Sequence, residues 1–278
     1  MKEKKTLFTV LEVAMALFIF VVSQLACGVV AAAVYAGIEY SKTGNIDPNA
    51  IGMAMGTNTD VVSYALLLSS LLTIFMIIVV KIALKRDILG ELNAKRCDWK
   101  IALFVCIFLL LGAQGISILE EKLNLPNLMA DTLTDMSGSV VGMLSIAILG
   151  PIAEEYVFRS GMIGGMLARG VKPWVAILVS SFLFGLIHIN PAQVPFAMLI
   201  GVALGMMYVK SGSIIPSCIC HILNNSIAVY TMIKYSDNPD ITYSEMIGSE
   251  AWTNVIMVVS ITLSVAFFIY YWRRRKAI

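Results

Sequence analysis

The sequence predicts an all-α, polytopic membrane protein with about eight transmembrane helices, organised as one helical domain over residues 1–278. Three observations predict it: composition, the length of the apolar runs and the placement of the basic residues. Of the 278 residues, 59% are hydrophobic and only 14% are charged, and the mean hydropathy is +0.85. Soluble domains are nearer a quarter charged. Several runs reach about 18 apolar residues, the length that reads as a membrane span. The spans consume most of the chain and leave no room for a separate soluble domain.

Taken in order, the spans fall at about 7–37, 61–83, 101–118, 138–168, 173–190, 193–209, 213–233 and 252–272. The first begins after the basic stretch MKEKK and is too long for a signal-peptide core, so it reads as a retained span. The first and fourth exceed what a bilayer needs and must tilt, kink or protrude. With the N-terminus inside, seventeen of the twenty Lys and Arg residues fall on inside segments; only Lys42, Lys122 and Lys234 fall outside. This bias places both termini in the cytoplasm. It also makes the basic residues topology signals rather than a nucleic-acid surface. The connections 38–60, 119–137 and 234–251 are long enough to fold over the outer surface. Glycine pairs at helical spacing, Gly161 with Gly165 and Gly201 with Gly205, suit close helix approach in lipid. The five cysteines show no metal-ligand spacing and read as buried thiols.

Polar groups at lipid depth are the functional suspects, because even lenient scales charge about 2.5–3.5 kcal/mol for a mid-span charge. They are Glu12, Glu154, Glu155, Arg159, His188 and His221, and the chain has no other histidine. Arg159 follows Glu155 at i+4, about 40° around the helix, so these two share a face. Glu154 lies about 100° from Glu155 and points elsewhere. The trio also fits a solvated cytoplasmic helix end. Phe184 and His188 share a face in the fifth span, as His221 and Asn225 do in the seventh. A carboxylate and an imidazole on separate helices are a minimal kit for activating water, and an Asn amide can donate to an oxyanion. Other hydrolytic chemistries lack material. There is no HExxH, no mid-span Asp pair and no GxSxG.

Read together, Glu154-Glu155-Tyr-Val-Phe-Arg159, Phe184-Gly-Leu-Ile-His188 and His221-Ile-Leu-Asn-Asn225 have the form EExxxR, FxxxH and HxxxN. In this order and spacing they resemble the CPBP family of intramembrane proteases. That family includes type II CAAX prenyl endopeptidases and bacterial bacteriocin-processing or self-immunity proteins. The motif-bearing core covers about 138–233. The resemblance implies that Glu154 is the general base for the attacking water, helped by His188. It implies that Glu155 and Arg159 are a supporting pair, that His221 and Asn225 stabilise the oxyanion, and that Phe184 packs beneath His188. No metal is expected, since no local ligand pair is present; a bound divalent ion such as zinc would draw on Glu154, His188 and His221.

The expected partners are the lipid bilayer and a peptide or membrane-protein substrate, and the lean loops suit a bacterial plasma membrane. Two other classes compete: a non-catalytic immunity or regulatory protein that binds a membrane partner, and an ion-coupled transporter. The transporter reading lacks inverted repeats. One tension is built into the drawing. Straight spans would hold His188, about 22 Å up the fifth span at the standard rise, away from His221 in depth. A hairpin tip at Asn190-Pro-Ala-Gln193, sunk into the protein, would remove it.

Overall fold

The computed structural model describes residues 2–45, 48, 51–52, 58–97, 99–238 and 241–273, with only the backbone described at 2–5, 96 and 101. Part of the 38–60 connection and the basic residues Arg274, Arg275 and Lys276 lie outside the described residues. Every regular element among them is helical. The eight apolar segments become α1 (Lys2–Thr43), α2 (Thr59–Ala83), α3 (Trp99–Leu123), α4 (Val140–Ala168), α5 (Pro173–Leu186), α6 (Gln193–Ser211), α7 (Ile215–Lys234) and α8 (Glu250–Arg273). Six of them are long and apolar enough to cross a membrane, against the eight expected. The other two depart for identifiable reasons. α5 has 14 residues, about 21 Å, which is short of a bilayer core. α7 carries the polar island Cys-His-Ile-Leu-Asn-Asn-Ser on its 20 residues, which dilutes its hydropathy.

Local chemistry sets the ends of these helices. Asn58 caps α2 by accepting from the Val61 amide. Pro173 and Pro216 sit in the first turns of α5 and α7, where a missing N–H costs nothing. Gly212 ends α6 at φ +63°, a conformation that disfavours a Cβ. The connections 119–137 and 234–251 are partly helical. Residues Ala130–Ser137 form one short helix, and Tyr243–Ile247 forms another behind a Thr242–Glu245 capping box.

α4 lies at the centre. Its buried side chains Val157, Phe158, Met162 and Ile163 form a core with Ala16 and Ile19 of α1, Ile77 of α2, Ile177 and Phe184 of α5 and Tyr208 of α6. A second core joins Val105, Leu109 and Ala113 of α3 to Leu204 and Met207 of α6 and Cys220 of α7. Glycines set the closest approaches: a Cβ on Gly201 would stand 3.1 Å from the Cα of Ser181, so α5 and α6 nearly touch.

The two ends of the bundle are fastened differently. At the end that carries the termini, Glu12 of α1 accepts from Arg86 at 2.8 and 3.1 Å and from Arg169 at 2.5 Å. Gly165 lies against that carboxylate, its place for a Cβ only 2.8 Å away. Beside it, Lys81 pairs with Glu91, and Glu91 also accepts from Ser160 at 2.6 Å and Tyr208 at 2.8 Å. Glu12 stood out in the sequence as a charge at lipid depth; the fold gives it two arginines. At the opposite end, the turn between α5 and α6 is covered by the 124–129 segment. Asn190 is buried, accepts from the Leu128 amide at 2.9 Å and donates to Asn127 at 2.8 Å. The Ala192 amide donates to the Pro126 carbonyl at 3.2 Å.

Candidate active site

The backbone of α4 is not regular around the paired glutamates. Two π-helical stretches, Ser145–Leu149 and Tyr156–Ile163, flank the α-helical turn Gly150–Glu155. Such turns are rare and concentrate at functional sites. Pro151 explains the first. Its ring cannot sit over a regular i−4 carbonyl, and it offers no N–H. The Gly150 amide bonds Ser145, five residues back, and a Cβ on Gly150 would stand 2.7 Å from that carbonyl oxygen. Continued one residue further, the same register would point residue 151 at the Ile146 carbonyl, where proline has nothing to donate. The side-chain amide of Asn225 fills the gap, donating to Ile146 O at 3.1 Å. A proline on α4 therefore creates the acceptor that fixes α7 beside it.

Glu155 is fully buried and Arg159 nearly so. Arg159 Nε lies 3.2 Å from Glu155 Oε2, at charge-pair distance but not aligned as a hydrogen bond. The guanidinium lies over the Phe184 ring, 4.6 Å from its centroid, and reaches the Gly201 carbonyl at 3.5 Å. The same ring meets His188 at 5.0 Å and His221 at 5.7 Å, each edge-on. Phe184 thus touches the Arg159 guanidinium and both imidazoles at once. This contact needs the close approach at Gly201, which also lies against the Phe184 ring.

His221 joins the two glutamates. Its Nδ1 is 3.0 Å from Glu155 Oε1 and its Nε2 is 3.6 Å from Glu154 Oε2. The contact to Glu155 is the shorter by 0.6 Å and lies within hydrogen-bond reach, whereas that to Glu154 does not. We therefore assign the proton to Nδ1, which leaves Nε2 facing Glu154. Adjacent residues on α4 grip opposite nitrogens of one ring from α7.

His188 lies in the turn after α5, with its Nδ1 2.8 Å from the Phe184 carbonyl. α5 ends at Leu186, so the histidine sits in the turn beyond it, and Phe184 links it to His221. Among the described residues no hydrogen bond or ion pair joins His188 to Glu154.

These groups border a cavity of about 430 Å³. Phe184, His188, His221, Asn224 and Asn225 line it, together with Glu120 of α3 and Gln193 of α6. Glu154 is not among the lining residues; its carboxylate, 19% exposed, lies 3.6 Å from Nε2 of the lining residue His221. The cavity suits a peptide segment in size. No cluster of three His, Cys, Asp or Glu side chains is placed to hold a metal among the described residues, so Glu154, His188 and His221 do not assemble as a ligand sphere.

Two contributors were not singled out in the sequence. Asn224 donates to Asn225 Oδ1 at 3.2 Å, and its only sequence signal is adjacency to Asn225. Glu120 stands at the end of its span, where it reads as an ordinary boundary charge. One of its oxygens is nevertheless buried and has no hydrogen-bond partner.

Comparison with curated proteins and with solved structures gave no match. A family model did match, over residues 136–227, and it is described as Rce1-like, type II CAAX prenyl endopeptidase Rce1-like. That segment runs from the helix before α4 into α7 and holds EExxxR, FxxxH and HxxxN. The part of the chain that builds this site is thus similar to the Rce1-like, type II CAAX prenyl endopeptidase family, over about a third of the chain's length.

Proposed function

We propose that this protein is an intramembrane endopeptidase that hydrolyses a peptide bond in a membrane-associated peptide or protein with water activated at Glu154. The observation that carries the reading is His221, set between the carboxylates of Glu154 and Glu155 and bordering the cavity. Arg159 lies against Glu155, Glu155 holds the His221 ring, and the ring presents Nε2 beside Glu154. A water at this edge gives its proton to Glu154 while its oxygen attacks the carbonyl carbon of the substrate. The tetrahedral oxyanion is met by the second N–H of the Asn225 side chain, whose first donates to the Ile146 carbonyl. Collapse of the intermediate expels the amine, which takes the proton back from Glu154. His188, on the far side of Phe184, supplies a second imidazole on the cavity wall.

The arrangement suits hydrolysis within a bilayer because the charges are neutralised before substrate arrives. Such a buried network is costly if one member is missing. A Glu154→Gln variant keeps the shape and removes the base. It should fold, and it should cut a membrane substrate about 10²–10⁴-fold more slowly, the usual contribution of a general base. Unchanged cleavage would remove Glu154 from the mechanism.

A further inference from the structure

We propose that the cavity takes its substrate from the face of the membrane opposite both termini, and that this is the extracytoplasmic face. The substrate would be a neutral or basic peptide segment on that side rather than a cytoplasmic C-terminal tail. The substrate class rests on the endopeptidase reading above; the direction of entry rests on geometry and charge.

The rim of the cavity is built from one end of the bundle. Asn127 and Thr134 come from the connection after α3, Gln193 opens α6 after the α5 turn, and Tyr235 and Tyr243 come from the connection after α7. These connections all lie an odd number of helices from the N-terminus, at the end remote from both termini. They are tied to one another there. The Tyr243 amide donates to Glu121 at 2.7 Å, and Asn190 clasps Asn127 and Leu128. The opposite end gathers the basic residues. Arg86 and Arg169 meet at Glu12, and Lys210 donates to the Trp272 carbonyl at 3.1 Å. Basic connections stay in the cytoplasm. Among the described residues the rim end carries only Lys42, Lys122 and Lys234, so the cavity and the basic end are on opposite faces.

The wall chemistry agrees. Among the described lining residues there is no Lys or Arg to receive a free carboxylate, which is how a CAAX tail ends. The wall instead carries Glu120, whose buried Oε1 has no hydrogen-bond partner. A carboxyl oxygen left without a partner in that position accepts an N–H or a cationic side chain of the substrate.

Two measurements on the full-length protein in intact cells test this. Thr134→Cys or Met246→Cys on the cavity wall is treated with a membrane-impermeant maleimide, alongside Lys172→Cys at the start of α5. The parent is the control, its described cysteines being buried or half-buried. The wall cysteines should label equally before and after permeabilisation, and Lys172→Cys only after. Labelling of the wall cysteines only after permeabilisation overturns the proposal. In the second measurement, membrane-peptide cut sites are mapped in wild-type cells and in Glu154→Gln cells. Wild-type-specific cuts should lie on extracytoplasmic segments; cuts confined to cytoplasmic segments overturn the proposal. If the two cell types show the same cuts, the endopeptidase reading and the substrate class fall together, while the labelling still decides which face the cavity opens to.

Discussion

Arg159 is the residue on which the site's charge balance turns. It lies beneath Phe184 with Glu155 beside it, and neither side chain meets water. Arg159→Leu would strand a carboxylate in the protein interior, which costs about 3–5 kcal/mol. Thermal unfolding in detergent should show that loss, and adding Glu155→Gln should recover part of it. If the single and double variants melt alike, the two side chains are not energetically coupled. Asn225 makes a second residue-scale case. Asn225→Leu would leave the Ile146 carbonyl without a donor, at about 1–3 kcal/mol, because Pro151 cannot supply one. A larger fall in cleavage than in stability would separate the proposed oxyanion role of its second N–H from its structural bond. The pairing of Glu155 with Arg159 is legible in the sequence, since four residues on one helix fix which side chains meet. The Asn225–Ile146 bond is not legible, because it depends on a π register and on a neighbour 79 residues away.

At the level of elements, the short α5 and its turn place His188. The turn contains Ile189 at φ +57°, a conformation that β-branched residues rarely adopt. Ile189 is 81% exposed, so its side chain gains little burial in return. Ile189→Gly should therefore raise the melting temperature, relieving about 1–2 kcal/mol of left-handed strain less the entropy that glycine loses. A fall would mean that the exposed side chain has a partner in the membrane. The α5–α6 contact makes the opposite prediction. Gly201→Val would push a branched side chain into the Ser181 backbone and the Phe184 ring, costing about 1–3 kcal/mol. Cleavage should fall further than this loss of stability explains, because Phe184 carries both histidines. The Gly201–Gly205 spacing announces a close approach in the sequence; which helix approaches, and which ring lies between, are tertiary facts.

Across the whole molecule, the polar groups divide into a clasp at the basic end and a cavity at the other. Glu12→Gln would weaken the hold on Arg86 and Arg169 and cost about 1–3 kcal/mol in detergent. Catalysis should survive, because the clasp lies at the end of α4 remote from Glu154. If the variant keeps its stability but stops cutting, the two ends are coupled.

The sequence by itself determined the all-helical membrane class, the apolar segments, the basic bias and the Glu155–Arg159 pairing. All of these follow from composition and from short, regular spacing along one chain segment. Tertiary structure decided which apolar segments are long enough to cross, that Glu12 is held by two arginines, and that His221 rather than His188 contacts Glu154. It also placed Glu120 on the cavity wall. The physical reason is range. A helix fixes the angle between near neighbours, but two π turns shift that angle along α4, and the contacts of His221 bring together side chains 66 residues apart. Only the packed bundle sets such a distance.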